Sequence, residues 1–263
     1  MKIYVVLMSL CLVVGGCSQL PKTSSSTIYI ASDSTAADHT LNEDYQAKRH
    51  PVTGWGQALQ AQLDVLPVAQ RQQLFGAKQL LVANKARGGR SSRTFFEEGR
   101  WDEIYRNLQP GDWVLIQFGH NDAAVDKTER YTNIAAYKQY LRLFVQQARE
   151  RQARPVVLTP VSRNYPWMEG KLGNAHGDYP AAARDVAQEL AVPLLDLGLL
   201  SAEFFSAKGE AYVSSHYFMN LPAGKYPAYP DGLKDNTHFQ PEGAAVTAKL
   251  VVDGLIPLLQ PAH

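Results

Sequence analysis

Five short apolar runs, separated by stretches of helical period, constrain this chain more than any other feature. The runs are Ile28–Ala31, Leu80–Ala83, Trp113–Phe118, Pro155–Thr159 and Pro193–Leu197. A strand wetted on one face alternates apolar and polar residues, whereas one covered on both faces reads as an unbroken apolar run. Between the runs, 133–152 sets Ile134, Tyr137, Leu141, Phe144 and Ala148 on one helical face. The stretch 179–190 does the same with Ala183, Val186, Ala187 and Leu190. A last helix is predicted over 241–259, with Pro241 in its first turn, where a missing N–H is harmless. No repeat or second composition regime interrupts 263 residues that are 45% hydrophobic. The prediction is one α/β domain, a three-layer α/β/α sandwich around a central, mostly five-stranded parallel sheet.

The N-terminus stands apart. Ile3–Val14 is almost continuously apolar, a run of 12 residues that is too short to span a bilayer comfortably and fits a signal-peptide core. It leads through Val14-Gly15-Gly16 into Cys17, the pattern of a bacterial lipobox with Cys17 as the lipidated residue. Residues 1–17 therefore read as a lipoprotein signal peptide, 18–27 as a flexible polar tether, and 28–263 as the folded domain. Ser18, where an inner-membrane retention signal would place aspartate, points to the outer membrane. The only other cysteine, Cys11, goes with the leader, so no disulfide is expected. A net charge of +1 gives no reason to expect a nucleic-acid partner, and the membrane is expected to be met through the lipid anchor alone.

Three distant segments carry residues suited to ester cleavage. Ser34 follows the first apolar run at a strand-to-helix turn, where open parallel sheets bind their ligands. Taken alone, Ser-Asp-Ser favours a helix cap over a nucleophile, and the partners below reverse that preference. Asp235 and His238 stand three apart, so that the carboxylate can fix the imidazole tautomer and leave the other nitrogen to take a serine proton. Asn121, just past Trp113–Phe118, offers a carboxamide, and Gly89 offers a turn that brings a backbone N–H close. With the amide of Ser34, these form an oxyanion hole, in which one donor is worth about 3–4 kcal/mol of transition-state stabilisation. His120 reads as a supporting hydrogen-bonder. No G-x-S-x-G, H-E-x-x-H, C-x-x-C, P-loop or dinucleotide motif occurs, so no cofactor or metal is implied.

These segments resemble the four blocks of the SGNH (GDSL-like) hydrolase superfamily, which supply Ser, Gly, Asn and Asp-x-x-His in this order. The match covers nearly all of the chain after the leader. It looks most like the rhamnogalacturonan acetylesterase group through SDSTAA, GWGQAL (54–59), NKARGGRSSRTF, QFGHND, TPVSR (159–163), HGDYP (176–180) and DNTHFQPEGA. The resemblance implies a flavodoxin-like fold, the triad Ser34, Asp235 and His238, and an oxyanion hole of Ser34, Gly89 and Asn121. Ser32 stands where the family usually has glycine, and altered substrate fit is expected from it.

The expected substrate is acetylated plant cell-wall polysaccharide, rhamnogalacturonan or pectin, cleaved through an acetyl-enzyme by a monomer. Trp55, Trp167, Tyr165, Tyr217, Tyr226 and Tyr229 fall in predicted loops and are candidates to stack on sugar rings. Arg90 and Arg163 are candidates to pair with uronate carboxylates, and His176 to contact substrate. Two alternatives stay open: a lipase-like or thioesterase relative acting on longer acyl chains, and a glycan-binding lipoprotein without catalysis.

Overall fold

The computed structural model describes residues 23–260. β1 (Thr23–Ala31) opens the sheet, and a turn and a 3₁₀ segment lead to α1 (Tyr45–Lys48), α2 (Trp55–Asp64) and α3 (Val68–Phe75). β2 (Ala77–Asn84) is followed by α4 (Ser92–Glu97) and α5 (Arg100–Asn107), then β3 (Trp113–Gln117), α6 (Ile134–Glu150) and β4 (Arg154–Leu158). A small hairpin of β5 (Trp167–Met168) and β6 (Lys171–Leu172) precedes α7 (Tyr179–Glu189), β7 (Leu194–Leu195) and α8 (Leu197–Lys208). After α9 (Glu210–Tyr212) and one π-helical turn, β8 (Phe218–Leu221) pairs antiparallel with β9 (Leu233–Phe239), and α10 (Pro241–Leu259) closes the domain.

The main sheet has the order β2-β1-β3-β4-β7 with every pair parallel, the flavodoxin-like arrangement the sequence predicts. Period-two geometry splits the core in two. Ile28 and Ile30 of β1 pack with α2, α3, α8 and α10 through Trp55, Leu59, Phe75, Phe205 and Val251. Tyr29 and Ala31 face the opposite layer, where Trp101 of α5, Tyr137, Leu141 and Phe144 of α6 and Val186 of α7 are buried. All five residues of β3 are buried, which is why its run contains so little polarity. The chain reverses its direction of winding between β1 and β3, so the crevice at their carboxyl ends is the natural binding place.

Three expectations change. The leader (1–17, with Cys17) and residues 18–22 lie outside the described residues, but Thr23–Thr27, read as tether, pairs with β2 from Thr23↔Ala77 to Thr27↔Leu81. Serines and threonines there hide a strand: Ser26 Oγ donates to Gly111 O at 3.0 Å, and Thr27 N–H donates to Asp112 Oδ1 at 2.8 Å. The fifth core strand shrinks to Leu194–Leu195, because the Asp196 side chain caps α8 at its first turn. The stretch 206–236, whose many Tyr, Pro and Gly residues read as one long loop, is largely regular structure, with only the segment between β8 and β9 left irregular. No helix among the described residues is long and apolar enough to cross a membrane.

Candidate active site

Ser34 follows β1 in a turn, not at a helix start. Asp33 Oδ1 accepts from Thr35 N–H at 2.9 Å and from Thr35 Oγ1 at 2.8 Å, and Ala36 N–H donates to Asp33 O at 3.3 Å. The helix-cap alternative is thereby removed, since the caps of the following segments are other residues. The Ser34 hydroxyl lies 2.8 Å from His238 Nε2.

A break in the β8–β9 ladder aims that histidine. Phe218 pairs with Phe239 but Met219 pairs with Asp235, so Asn236, Thr237 and His238 bulge from the strand. Asp235 Oδ1 accepts from the N–H groups of Thr237 (2.8 Å) and His238 (3.1 Å), and Asp235 Oδ2 lies 2.6 Å from His238 Nδ1. With its proton on Nδ1, donated to this carboxylate, His238 has Nε2 free to accept from Ser34. Burial pushes the Asp235 carboxyl up, but the hydrogen bond and charge of His238 and the two backbone donors outweigh it and hold the group below its ordinary value. Asp235 is therefore charged where an imidazolium would need it.

Oxyanion donors gather at the same crevice, which Ser34, Gly89, Asn121 and His238 all line. Gly89 takes a left-handed φ of 79°, a conformation a side chain would strain. Asn121 Nδ2 donates one hydrogen to Arg90 O at 2.9 Å, which fixes the carboxamide and leaves its second hydrogen available.

His39, Gln117 and Asp122 support the site although nothing in the sequence singles them out, and Trp55 joins them in place of its expected role. His39 Nε2 lies 2.9 Å from Ser34 O, and burial pushes this imidazole down to about 4, so it is neutral and donates its N–H to that carbonyl. Trp55 is fully buried, not a loop platform: its N–H donates to Thr35 O at 2.9 Å and its Nε1 to Gln117 Oε1 at 2.9 Å. Gln117 Nε2 in turn donates to Thr35 Oγ1 at 3.0 Å, tying the end of β3 to the Ser34 turn. Asp122 accepts from Ser92 N–H and Oγ (3.0 and 2.6 Å) and from Gly119 N–H (3.1 Å), joining the Gly89 and Asn121 loops. Burial, with the nearby Asp33 charge, pushes its carboxyl up to about 7.

Beneath the turn, buried His120 places Nδ1 3.2 Å from Asp33 Oδ2, close but not aligned as a hydrogen bond. Burial pushes the Asp33 carboxyl up, but the charge and side chain of His120 and the two bonds from Thr35 outweigh it and hold Asp33 below its ordinary value, while burial pushes the His120 imidazole down. Ser32 is wholly buried with an unpartnered hydroxyl and does not line the crevice, so it touches the underside of the site and not a substrate.

Of the five proposed substrate contacts, three lie away from the crevice and two line it with their guanidinium groups already engaged. His176 is buried edge-on against His120 and opens on a separate cavity. Trp167, which donates to Asn164 Oδ1, and Tyr229, which packs in a small cluster around Met219, are both absent from the crevice wall. Arg90 does line it, but its guanidinium is taken by Glu98 at 2.9 Å and by Gly88 O at 2.7 Å. Arg163 also lines it while donating to Tyr165 Oη, Thr237 Oγ1 and His120 O, a brace beneath the His238 loop. Tyr217 is buried, and no Trp, Tyr or Phe lines the crevice, so the expected stacking platform is absent from it. Among the described residues, no group of three or more His, Cys, Asp or Glu is placed to hold a metal ion.

Fold and site together define a hydrolase of the SGNH class. The GDSL-like Lipase/Acylhydrolase family model matches residues 33–246, and the chain belongs to that family. It is 37% identical over 228 residues to rhamnogalacturonan acetylesterase RhgT of Bacillus subtilis, covering 87% of this chain and 88% of that protein. It is 27% identical to a rhamnogalacturonan acetylesterase of Emericella nidulans, over 91% of this chain and 88% of that one. Among solved structures, protein YXIM of Bacillus subtilis superposes with a TM-score of 0.68 at 25% identity, covering 88% of this chain and 56% of that one. An acetylxylan esterase from Geobacillus stearothermophilus gives a TM-score of 0.57 at 16% identity, covering 90% of this chain and 95% of that one, a likeness of fold.

Proposed function

We propose that this protein is a carbohydrate O-acetylesterase whose substrate is acetylated rhamnogalacturonan or a related pectin. The observation that carries the reading is the wall of the crevice beside Ser34. Its volume is about 570 Å³, and its apolar lining amounts to Ala37, Leu41, Ala86 and Ala124 among mostly charged and polar side chains. Such a wall accepts a hydrated polysaccharide and an acetyl group. It gives a long acyl chain little to bury against, whereas a channel would reward each methylene with about 0.8 kcal/mol. The names carried by the bacterial and fungal relatives favour rhamnogalacturonan as the polymer.

In the proposed mechanism Ser34 Oγ attacks the acetyl carbonyl as its proton passes to His238 Nε2, and Asp235 stabilises the imidazolium. The N–H groups of Ser34 and Gly89 and the Asn121 carboxamide receive the developing negative charge. His238 returns the proton to the sugar oxygen as it leaves, then takes one from the attacking water and passes it to Ser34 Oγ as the acyl bond breaks and acetate is released. The leader and Cys17 are read as a lipid anchor to the bacterial envelope, probed by incorporation of labelled palmitate into wild type and C17A.

The experiment compares acetyl with octanoyl esters and then measures acetate release from acetylated rhamnogalacturonan, pectin and xylan. Preference for the acetyl ester and for the two pectic polymers is expected. Preference for octanoyl would make the protein a lipase-like or thioesterase member of its family.

A further inference from the structure

The crevice is far more basic than the protein around it. Six cationic side chains line it against two aspartates, although the whole chain carries a net charge of only +1. Low-dielectric walls focus such a field on whatever enters. Four of the cations are engaged: Arg90 with Glu98, Arg130 near Glu129 at 3.9 Å, Lys127 near Asp126 at 3.5 Å, and Arg163 with neutral acceptors. Arg49 and Arg87 are different. Both are exposed, and among the described residues neither guanidinium has a carboxylate within 4.0 Å or a side-chain hydrogen bond.

Their backbones, by contrast, are fixed. Arg49 ends α1, its N–H donating to Tyr45 O at 2.8 Å while its carbonyl accepts from Val52 N–H at 2.8 Å. Arg87 N–H donates to Ser32 O at 3.0 Å, which pins the Gly88–Gly89 loop two residues before the nucleophile. An arginine on a fixed backbone, with its fork free in a binding crevice, is pre-organised for a bidentate carboxylate.

We propose that Arg49 and Arg87 form a carboxylate-binding subsite of the catalytic crevice, which seizes uronate residues flanking the acetylated sugar and selects acidic over neutral glycans. The proposal deepens the acetylesterase reading and rests on it for the identity of the bound polymer. Arg90 and Arg163, the arginines the sequence singled out, keep the loops in place instead.

The test uses the full chain and reads binding separately from deacetylation. Unacetylated oligogalacturonate and its carboxyl-reduced, neutral counterpart compete against hydrolysis of 4-nitrophenyl acetate in wild type, R49Q, R87Q and the double variant. Thermal melts establish that each variant is folded. In wild type the acidic oligosaccharide inhibits at least tenfold more strongly than the neutral one, and 0.5 M NaCl erodes the difference. Each single variant loses threefold or more of that preference, the double variant loses all of it, and R49K with R87K falls between, keeping charge but not the fork.

Equal inhibition by both oligosaccharides in wild type, no inhibition by either, or a preference that survives in the folded double variant would overturn the proposal. Acetate release from acetylated polymers is scored apart. Acidic preference without any acetate release condemns the acetylesterase reading alone, and acetate release without acidic preference condemns the subsite alone.

Discussion

His39 holds Ser34 from behind: its Nε2 lies 2.9 Å from the Ser34 backbone carbonyl, while its ring stands edge-on to His238 with centroids 6.2 Å apart. One imidazole thus steadies the peptide of the residue that the other is placed to deprotonate. Burial keeps His39 neutral down to about pH 4, so it donates one hydrogen bond throughout the range in which a neutral esterase works.

Two consequences of that contact can be measured. H39A should lower kcat about tenfold by loosening the Ser34 turn, whereas H39Q, which can still donate N–H, should retain most activity. Neither change should alter the shape of the pH–rate profile above pH 5. Stability carries the second signature. A folded-state value depressed from 6.5 to about 4 contributes stability that is present above the unfolded value and is lost as pH falls through that window. The contribution is about 3 kcal/mol by the usual conversion. Denaturant melts from pH 7 to 4 should show wild type losing that increment and H39Q not losing it.

Gly56 lets α2 press against the nucleophile turn. A Cβ there would stand 2.5 Å from Ala36 O and 2.8 Å from Asn84 Nδ2, both part of the packing behind Ser34. G56A should therefore cost about 1–3 kcal/mol of stability, as overpacking usually does, and lower kcat more than it raises KM. Paired melts and steady-state kinetics check both effects.

Asn121 has one hydrogen committed to Arg90 O and one free. N121A should cost about 10²–10³ in kcat with little change in KM, the pattern for a donor that acts chiefly in the transition state. A purely structural role would show instead as a lowered melting temperature with kcat recovered on cooling.

Much of the fold and of the site can be read from the sequence. Trp113–Phe118 reads as a central strand because both its faces are covered, and its one polar residue, Gln117, is itself buried and bonded to Trp55 and Thr35. The Asp235–His238 spacing carried its chemistry because a three-residue reach is a local matter, settled by the two backbone bonds to Asp235. Thr23–Thr27 is hidden because its pairing with β2 is a matter of the backbone, while its residues, among them Ser26 with its bond to Gly111 O, do not look apolar. Trp55 and Arg90 depart from what their sequence suggests for a shared reason. Whether an aromatic ring or a guanidinium is free depends on distant partners, Gln117 in one case and Glu98 in the other, and spacing does not report them. His39 and Arg49 gave no signal for the same reason, since their significance lies in a contact and in the lack of one.

The central claim is that the hydroxyl of Ser34, activated by His238, performs the cleavage. The most direct measurement is acetate release from acetylated rhamnogalacturonan by wild type and by purified, folded S34A at equal concentration. S34A is expected to fall by at least about 10³-fold, toward the residual rate that the oxyanion donors alone sustain. Equal release by the two proteins would contradict it.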